Sequence, residues 1–204
     1  MNFDLKYAKI APDVWNALDE IPREGWVRRE VKNPESVQKH STSCRDLVRE
    51  LVIHLAEFSN SDILEILDIL EVHDYPEKIN GDEVIVTDDP EEKKRLKAEK
   101  FKREYDAMLE ITKPLGPEGK EMFNLWLRFE KGEDKNSIFA KEIDKYQSIE
   151  QAYFYEDDWE KVFAQDFINS YRNDIVHPVL KMRIMAIEKV CKKKKISRCC
   201  LQKI

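Results

Sequence analysis

The chain has 204 residues, of which 35 are Lys or Arg and 41 are Asp or Glu, so its formal charge is −6 with histidine neutral. This acidic balance excludes a generally basic nucleic-acid-binding protein, and the 42% of hydrophobic residues excludes a chain that is disordered throughout. Only 5 residues are glycine, which favours a helical protein and argues against an all-β fold.

The first part of the chain predicts two helices with an irregular segment between them. Residues 3–18 form an opening helix with an irregularity at Pro12, and residues 21–34 lack helical periodicity. A second helix begins near Glu35 or Ser36, and His40 lies on or next to its apolar stripe. The stripe recurs every three or four residues and is predicted to face a core: Val37, Cys44, Leu47, Val48, Leu51, Val52 and Leu55.

The third predicted helix, in SDILEILDILEVHD (61–74), is apolar on nearly all sides. A helix of this kind belongs in the middle of a protein. Ser61 or Asp62 can cap its start, and His73 and Asp74 end it. A proline and a glycine then break the chain into a loop over residues 75–83, and the three apolar residues at 84–86 are too few to found a sheet.

The second half of the chain predicts further helices. Asp89 as N-cap, with Pro90 after it and Glu92 three residues on, starts a mostly charged helix to about Ile111 whose charges face solvent. Others are predicted at about 117–131, 136–155, 158–171 and 178–193. The sequence therefore predicts an all-α fold, with one domain over residues 1–190 and a basic, flexible C-terminal tail over residues 191–204.

The tail carries a charge of +6 and residues 1–190 carry −12. It could bind an anionic lipid or nucleic acid, or its adjacent Cys199 and Cys200 could be acylated or bind a metal, but we favour a solvated terminus. The first 13 residues lack the pattern of a signal peptide, no segment is apolar enough for a membrane span, and the four cysteines are not spaced as a disulfide scaffold. We therefore expect a cytoplasmic protein without membrane association.

The residues that can carry chemistry are histidines and acids, because the sequence lacks a phosphate-binding glycine pattern, a nucleophile elbow and a CxxC pair. His73 and Asp74 end the most apolar helix, where a charged carboxylate is costly unless a partner compensates it. A divalent cation is such a partner, and imidazole with carboxylate suits Mn, Fe, Co, Ni or Zn. His40 and Asp144, from other predicted helices, can complete the ligand set.

Taken singly, each of these residues has a structural explanation. His40 can be a hydrogen-bonded histidine at the edge of the core, and Asp144 can be a surface acid among lysines. His73 and Asp74 can simply end a helix, where a cation is favourable near the dipole. Their order along the chain, together with the residues around them, favours the metal site.

This order, H…HD…D, resembles the HD-domain metal-dependent phosphohydrolases, and in particular their 5′-deoxynucleotidase branch of the HD domain-containing protein 2 type. The resembling segments are GWVRREVKNPESVQKHS (25–41), LEVHDYPEKINGD (70–82), LWLRFEKG (125–132) and FAKEIDKYQSIEQAYFYE (139–156). An HD dipeptide alone has little specificity, whereas these motifs in combination are fairly specific. They cover the chain from about Gly25 to Glu156.

The resemblance implies a single HD-domain helical bundle that binds one divalent metal ion, which can be Mn, Co, Fe, Ni or Zn. Four metal ligands are implied: His40, His73, Asp74 and Asp144. The resemblance also implies that Glu77 and Asp82 are catalytic and act on the water or the phosphate, and that Trp26 contacts the sugar and favours deoxyribose. The structural alternatives are a loop acid, a turn residue and core packing, respectively.

Two departures from the family pattern affect these roles. The residue before the ligand histidine is usually acidic in the family and is Lys39 here. Some members carry a phosphate-binding arginine before the tryptophan, and this chain has Gly25 there. Arg28, Arg29 or Lys32 can supply that charge, since a guanidinium in particular matches phosphate geometry, although solvated surface is the alternative.

The sequence thus predicts a metal-dependent 5′-deoxynucleotidase, which hydrolyses deoxyribonucleoside 5′-monophosphates to a deoxyribonucleoside and phosphate. The family resemblance further implies a homodimer, and no nucleic-acid polymer is expected as a partner. Two alternatives stay open. One is an HD-type phosphatase or phosphodiesterase that acts on another nucleotide or a small organophosphate. The other is a non-catalytic regulator that binds a metal or a nucleotide.

Overall fold

The computed structural model describes residues 4–201, with side chains up to Cys191. Within this range the chain contains helices and no β-strand, so the predicted all-α fold is confirmed. An isolated antiparallel bridge joins Pro22 to Ser36. No helix in the described part of the chain combines the length and apolarity that a membrane crossing requires.

The helices follow one another along the chain with short connections. Their bounds are α1 (Tyr7–Ile10), α2 (Pro12–Ala17), α3 (Glu24–Val27), α4 (Val37–Leu51), α5 (Asn60–Val72), α6 (Glu77–Asn80), α7 (Pro90–Thr112), α8 (Gly116–Lys131), α9 (Lys135–Tyr155), α10 (Ala164–Tyr171) and α11 (Pro178–Leu201). Short 3-10 turns, at 52–54 and 113–115, follow α4 and α7.

Several bounds differ from those predicted. The opening helix is divided in two at Ala11, because Pro12 begins a new helix and cannot donate a backbone hydrogen bond. The segments at 21–34 and 75–83 each contain one helical turn, α3 and α6, which are too short to show a periodicity. α10 begins at Ala164 rather than near 158, and α11 continues past 193 to Leu201.

The starts of the central helices are fixed by capping side chains. Ser36 accepts a hydrogen bond from the backbone of Lys39 at the start of α4, and Asp89 caps α7 as predicted. α5 begins earlier than predicted, with Ser59 as N-cap and a reciprocal hydrogen bond between the Asp62 side chain and the Ser59 backbone. These caps satisfy amides that have no partner within the helix.

α5 forms the centre of the first part of the chain. It packs against α1, α4 and α8, and its apolar residues are buried as the sequence predicts, apart from Leu64, which is 37% exposed. The stripe of α4 is likewise buried from Val37 to Leu51. This packing places the C-terminal end of α5, at Val72, beside the N-terminal half of α4.

A buried ion pair, Glu71 with Arg45, ties α5 to α4 and to the start of α1. The Glu71 carboxylate accepts hydrogen bonds from the backbone amides of Lys6, Tyr7 and Ala8 at 3.0, 2.6 and 2.7 Å, and from Arg45 Nη1 at 2.9 Å. Arg45 also donates to the backbone carbonyls of α5 and of the N-terminal segment. These hydrogen bonds are charge-assisted, and the Glu71 side chain itself is fully buried.

Replacing Glu71 should therefore destabilise the fold strongly. Glu71→Ala leaves a buried arginine without its carboxylate and is expected to lower the free energy of unfolding by about 3–5 kcal/mol, measured by urea denaturation. Glu121→Ala is the matched control, because this exposed acid pairs with Lys6 at 2.9 Å and should cost less than about 1 kcal/mol. Equal losses for the two variants would contradict the structural role given to Glu71.

The described chain divides into two compact units, the first ending at Ala140 and the second beginning at Lys141, within α9. In the second unit, the Glu142 carboxylate accepts the backbone amides of Val176 and His177 at 2.9 and 2.7 Å. Lys145 pairs with Asp174 at 2.8 Å, and α10 packs against α11. The predicted single domain over 1–190 stays a prediction, and the side chains of the basic tail beyond 191 lie outside the described residues.

Candidate metal centre

The His-Asp pair lies at the C-terminal end of α5, where His73 is the C-cap. His73 Nδ1 lies 2.9 Å from the Leu70 carbonyl oxygen, which can only accept, so Nδ1 carries the proton and donates. In the neutral ring Nε2 is then the unprotonated nitrogen, whose lone pair can bind a metal. Nε2 lies 3.1 Å from Asp74 Oδ2. The local helix end therefore aims a nitrogen and a carboxylate oxygen at the same point.

α4 adds His40 to this pair. His40 is fully buried, its Nε2 lies 3.8 Å from Asp74 Oδ2, and its ring centroid lies 5.6 Å from that of His73. Potential ligand atoms of His40, His73 and Asp74 all lie within 4.8 Å of one another. Ligand atoms bound at about 2.1 Å to one ion, at right angles, are about 3 Å apart, so this donor set fits a divalent metal ion.

The charge state of Asp74 suits this use. Burial alone would raise the pKa of its carboxyl, but His73, Arg23 and His40 lower the pKa well below its usual range. The carboxylate is therefore ionised, as metal binding requires. Its side chain is 14% exposed beside two buried imidazoles, so a small part of the group stays open to solvent.

The site also contains Arg23, which sequence reasoning missed. Its Nη1 lies 3.5 Å from Asp74 Oδ2 and its Nε lies 3.8 Å from Asp82 Oδ2, so one guanidinium joins two of the predicted site acids. Arg23 lies just before α3, in the segment that lacks helical periodicity. The available signal was its position three residues before Trp26 in PREGW.

Asp82 is held close to this arginine by the turn that ends α6. Gly81 has a φ of 72°, which a residue with a side chain rarely adopts, and it turns the chain so that Asp82 Oδ2 accepts the backbone amide of Glu24 at 2.8 Å. Asp82 thus lies in a turn after Gly81, the structural alternative to its catalytic role, which stays a prediction. The same turn brings the carboxylate next to Arg23.

Glu77, the first residue of α6, is 4% exposed, and its Oε2 atom has no hydrogen-bond partner among the described residues. Burial raises the pKa of its carboxyl well above the usual range, and the nearby charges of Asp74 and Asp82 raise the pKa further. A buried carboxyl without a partner atom is costly in a purely structural role. Its surroundings are those of a group that can hold and release a proton.

Trp26 is 3% exposed, and its indole Nε1 donates to Glu35 Oε1 at 2.9 Å. The Glu35 backbone carbonyl also accepts the amide of Arg23 at 3.0 Å. One buried glutamate thus fixes both the tryptophan and the backbone of the site arginine. This firm packing of Trp26 agrees with a structural role and is also what a rigid sugar-binding wall would need.

The two arginines predicted to hold phosphate make contacts near α3 itself. Arg28 is exposed and its Nε pairs with Glu24 Oε1 at 3.0 Å, while Arg29 Nη1 donates to the Gly25 carbonyl at 2.9 Å. Asp144, the fourth predicted ligand, lies on α9 in the second unit and is partly exposed. The roles of all three residues stay predictions.

An all-α chain in which one buried histidine meets a later His-Asp pair has the arrangement of an HD domain. The HD domain family matches residues 15–183, which is most of the sequence, and the chain belongs to this family. The family assignment made from the order His40, His73-Asp74 and Asp144 and the segments around them is therefore confirmed.

Curated relatives extend the likeness. The chain is 33% identical over 182 residues to the 5′-deoxynucleotidase HDDC2 of Dictyostelium discoideum, covering 84% of this chain and 91% of the relative. It is 34% identical over 174 residues to the 5′-deoxynucleotidase HDDC2 of Homo sapiens, covering 84% of this chain and 79% of the human protein.

Solved structures share the fold. A conserved hypothetical protein from Pyrococcus furiosus matches with a TM-score of 0.66 and 24% identity, over 86% of this chain and 96% of that chain. A predicted metal-dependent phosphohydrolase from Magnetospirillum magnetotacticum matches with a TM-score of 0.67 and 18% identity, over 93% and 95% of the two chains. At these identities the likeness establishes the fold alone.

Proposed function

We propose that this protein is a metal-dependent 5′-deoxynucleotidase that hydrolyses deoxyribonucleoside 5′-monophosphates to a deoxyribonucleoside and phosphate. The observation that carries the proposal is the convergence of His40, His73 and Asp74 beside a buried Glu77, in a chain whose relatives over most of its length are 5′-deoxynucleotidases. Retention of all these groups argues against a regulator that has lost its catalytic site.

One divalent ion is held by His40, His73 and Asp74 in this proposal, with Asp144 as the fourth ligand implied by the family pattern. Mn, Co, Fe, Ni and Zn all suit two imidazoles with carboxylates. When bound, the ion supplies Lewis acidity, which activates water and offsets phosphate charge. His73 is already oriented for this role by its hydrogen bond to the Leu70 carbonyl.

Arg23 is the cation that we assign to the substrate phosphate. Its guanidinium lies between Asp74 and Asp82, and its side chain is 18% exposed, so it is fixed in place and still reachable. A guanidinium in this position can donate two parallel hydrogen bonds to phosphate oxygens. Arg23 thus takes the role for which Arg28, Arg29 and Lys32 were the sequence candidates.

Glu77 and Asp82 handle protons in this reaction. Water attacks phosphorus, the bond between phosphorus and the 5′ oxygen breaks, and that oxygen takes up a proton as the deoxyribonucleoside leaves. The raised pKa of Glu77 makes it the better proton donor, since its carboxyl stays protonated at a higher pH than an exposed glutamate. Asp82, held by Arg23 and the Glu24 amide, is the better group to orient water.

Trp26 forms the wall that favours deoxyribose in this proposal. Its hydrogen bond to the buried Glu35 gives the indole a single orientation, so it cannot move aside for an additional hydroxyl. Homodimer formation and a cytoplasmic location are further proposals, which rest on the family resemblance and on the sequence pattern.

A substrate panel tests the function. Protein stripped of metal and resupplied with Mn or Co should release phosphate from deoxyribonucleoside 5′-monophosphates faster than from the matching ribonucleotides. Release from other nucleotides or small organophosphates alone would favour the broader phosphatase or phosphodiesterase alternative. Absence of turnover on every panel member, with metal content verified by elemental analysis, would favour the regulator.

A further inference from the structure

A buried face of α7 points to a residue of the site that the family pattern does not name. Over residues 90–103 this helix carries many charged side chains, and its residues are exposed except Leu96 and Lys100, which are partly buried. Glu104, one turn after the partly buried Lys100, is buried. α7 packs against α6, whose first residue is Glu77. Lys100 and Glu104 therefore lie on the face of α7 that is turned toward the catalytic acids.

Lys100 is charged and interacts with the acids of the site. Its Nζ lies 2.5 Å from Glu104 Oε1, with a quarter of its side chain exposed. Burial opposes the charged form of Lys100, but Glu104 raises the pKa of the ammonium above its usual value, and Glu77 and Asp74 add to that effect. In return, Lys100 acts to lower the pKa of Glu77.

The negative charge of the acids in the site favours a further cation for binding phosphate. Asp74, Asp82 and Glu104 are acids around a centre that must receive a phosphate dianion, and Arg23 is itself shared between two of them. A lysine ammonium has three N–H donors, and Glu104 accepts one. The quarter of the Lys100 side chain that remains exposed allows an oxygen anion to approach the others.

We propose that Lys100 is a second phosphate-binding cation of this site, with Glu104 as a positioning residue that holds its ammonium before substrate arrives. This inference rests on the proposed function, because the ligand is the phosphate group of the substrate or product. Arg23 comes from the segment before α3 and Lys100 from α7, so the two cations are contributed by distant parts of the chain.

Binding of inorganic phosphate to the Mn-loaded protein, measured by isothermal titration calorimetry, tests the proposal without turnover. Lys100→Met removes the charge and keeps the length of the side chain, and it should weaken phosphate binding at least about tenfold, as expected for loss of a charge-assisted hydrogen bond. Lys102→Met is the matched control on the exposed side of α7 and should bind phosphate like the wild type.

Glu104→Gln separates phosphate binding from a merely structural ion pair. It removes a negative charge next to Lys100, while the glutamine amide oxygen can still accept the hydrogen bond that holds the ammonium in position, so it should keep or improve phosphate affinity while Lys100→Met loses it. Equal weakening by both variants, or wild-type affinity in Lys100→Met, would overturn the proposal. Thermal unfolding of each variant verifies that the protein measured is folded.

The outcome is distinguishable from failure of the proposed function. If the wild type hydrolyses no deoxynucleotide but Lys100→Met alone loses phosphate binding, the Lys100 assignment stands and the substrate assignment is wrong. If the wild type hydrolyses deoxynucleotides and Lys100→Met retains its phosphate affinity, the function stands and the Lys100 assignment is wrong. In the expected case, Lys100→Met also raises KM for the deoxynucleotide by a factor similar to the loss in phosphate affinity.

Discussion

Asp74→Ala should abolish metal binding and lower phosphate release from a deoxyribonucleoside 5′-monophosphate by about a thousandfold or more, since the metal supplies several kcal/mol of transition-state stabilisation. The Oδ2 atom of Asp74 lies 3.1 Å from His73 Nε2, 3.8 Å from His40 Nε2 and 3.5 Å from Arg23 Nη1. Its removal takes away the only carboxylate in the group formed with these two histidines.

Elemental analysis after stripping and reloading, together with a phosphate-release assay, measures both effects. Asp68→Ala is the matched control, because Asp68 lies on α5 two turns before the site. Burial raises the pKa of Asp68 to about 6, so loss of its charge should not harm the fold. Unchanged metal content in Asp74→Ala would remove this residue from the ligand set.

Three of the proposed metal ligands could be singled out from the sequence because they lie on or at the end of helices with a clear apolar stripe or a nearly continuous apolar surface. His40 lies on the buried stripe of α4, and His73 and Asp74 end the helix that is apolar on nearly all sides. Polar groups in such positions are expensive without a partner, so a local pattern was enough to single them out. That His40 lies close to His73 and Asp74 could be expected only from the family motif, since it depends on how α4 packs against α5.

Arg23 could not be identified in this way. It lies between α2 and α3, and its position depends on tertiary hydrogen bonds from its own amide to Glu35 and between Glu24 and Asp82. The sequence contains 35 Lys and Arg residues, and most basic side chains near a motif face solvent. Arg28 and Arg29 are closer to Trp26 along the chain, but sequence distance does not determine which guanidinium reaches the acids.

Lys100 illustrates the same limit within a regular helix. The charged residues of α7 show little amphipathic pattern, and the apolar residues alone did not reveal that one lysine is partly buried beside Glu104. Glu71 is a related case. From the sequence alone, an acid within the apolar run of α5 would be assigned to the surface, but in the structure it accepts hydrogen bonds from three backbone amides and from Arg45. Such buried charges are specified by contacts between elements, which periodicity does not encode.

Glu77→Gln should lower kcat by about 10²–10⁴-fold, the usual contribution of a positioned proton donor or acceptor. Metal content and KM should change little, because glutamine has the shape of glutamate and Glu77 is not among the metal ligands. Its Oε2 atom has no hydrogen-bond partner among the described residues, so the substitution breaks no contact made by that atom. The loss should therefore be confined to proton transfer.

The same variant should be at least as stable as the wild type without metal at neutral pH. Burial, Asp74 and Asp82 raise the pKa of Glu77 in the folded protein above its unfolded value. A group shifted in this direction favours the fold when protonated and loses that contribution as the pH rises through its folded pKa. Glutamine stays neutral at every pH and avoids this loss. The unfolding temperature, measured between pH 5 and pH 8, should therefore fall less steeply with rising pH in the variant than in the wild type.

A lower kcat together with an equal or higher unfolding temperature in Glu77→Gln distinguishes a catalytic carboxyl from a structural one. Glu83→Gln is the matched control, since this exposed glutamate pairs with Arg103 close to the same turn and should leave kcat unchanged. A structural Glu77 would show the reverse pattern, with full kcat and a lower unfolding temperature in Glu77→Gln. A costly buried carboxyl whose removal stabilises the protein and stops its reaction is one that is retained for the chemistry it performs.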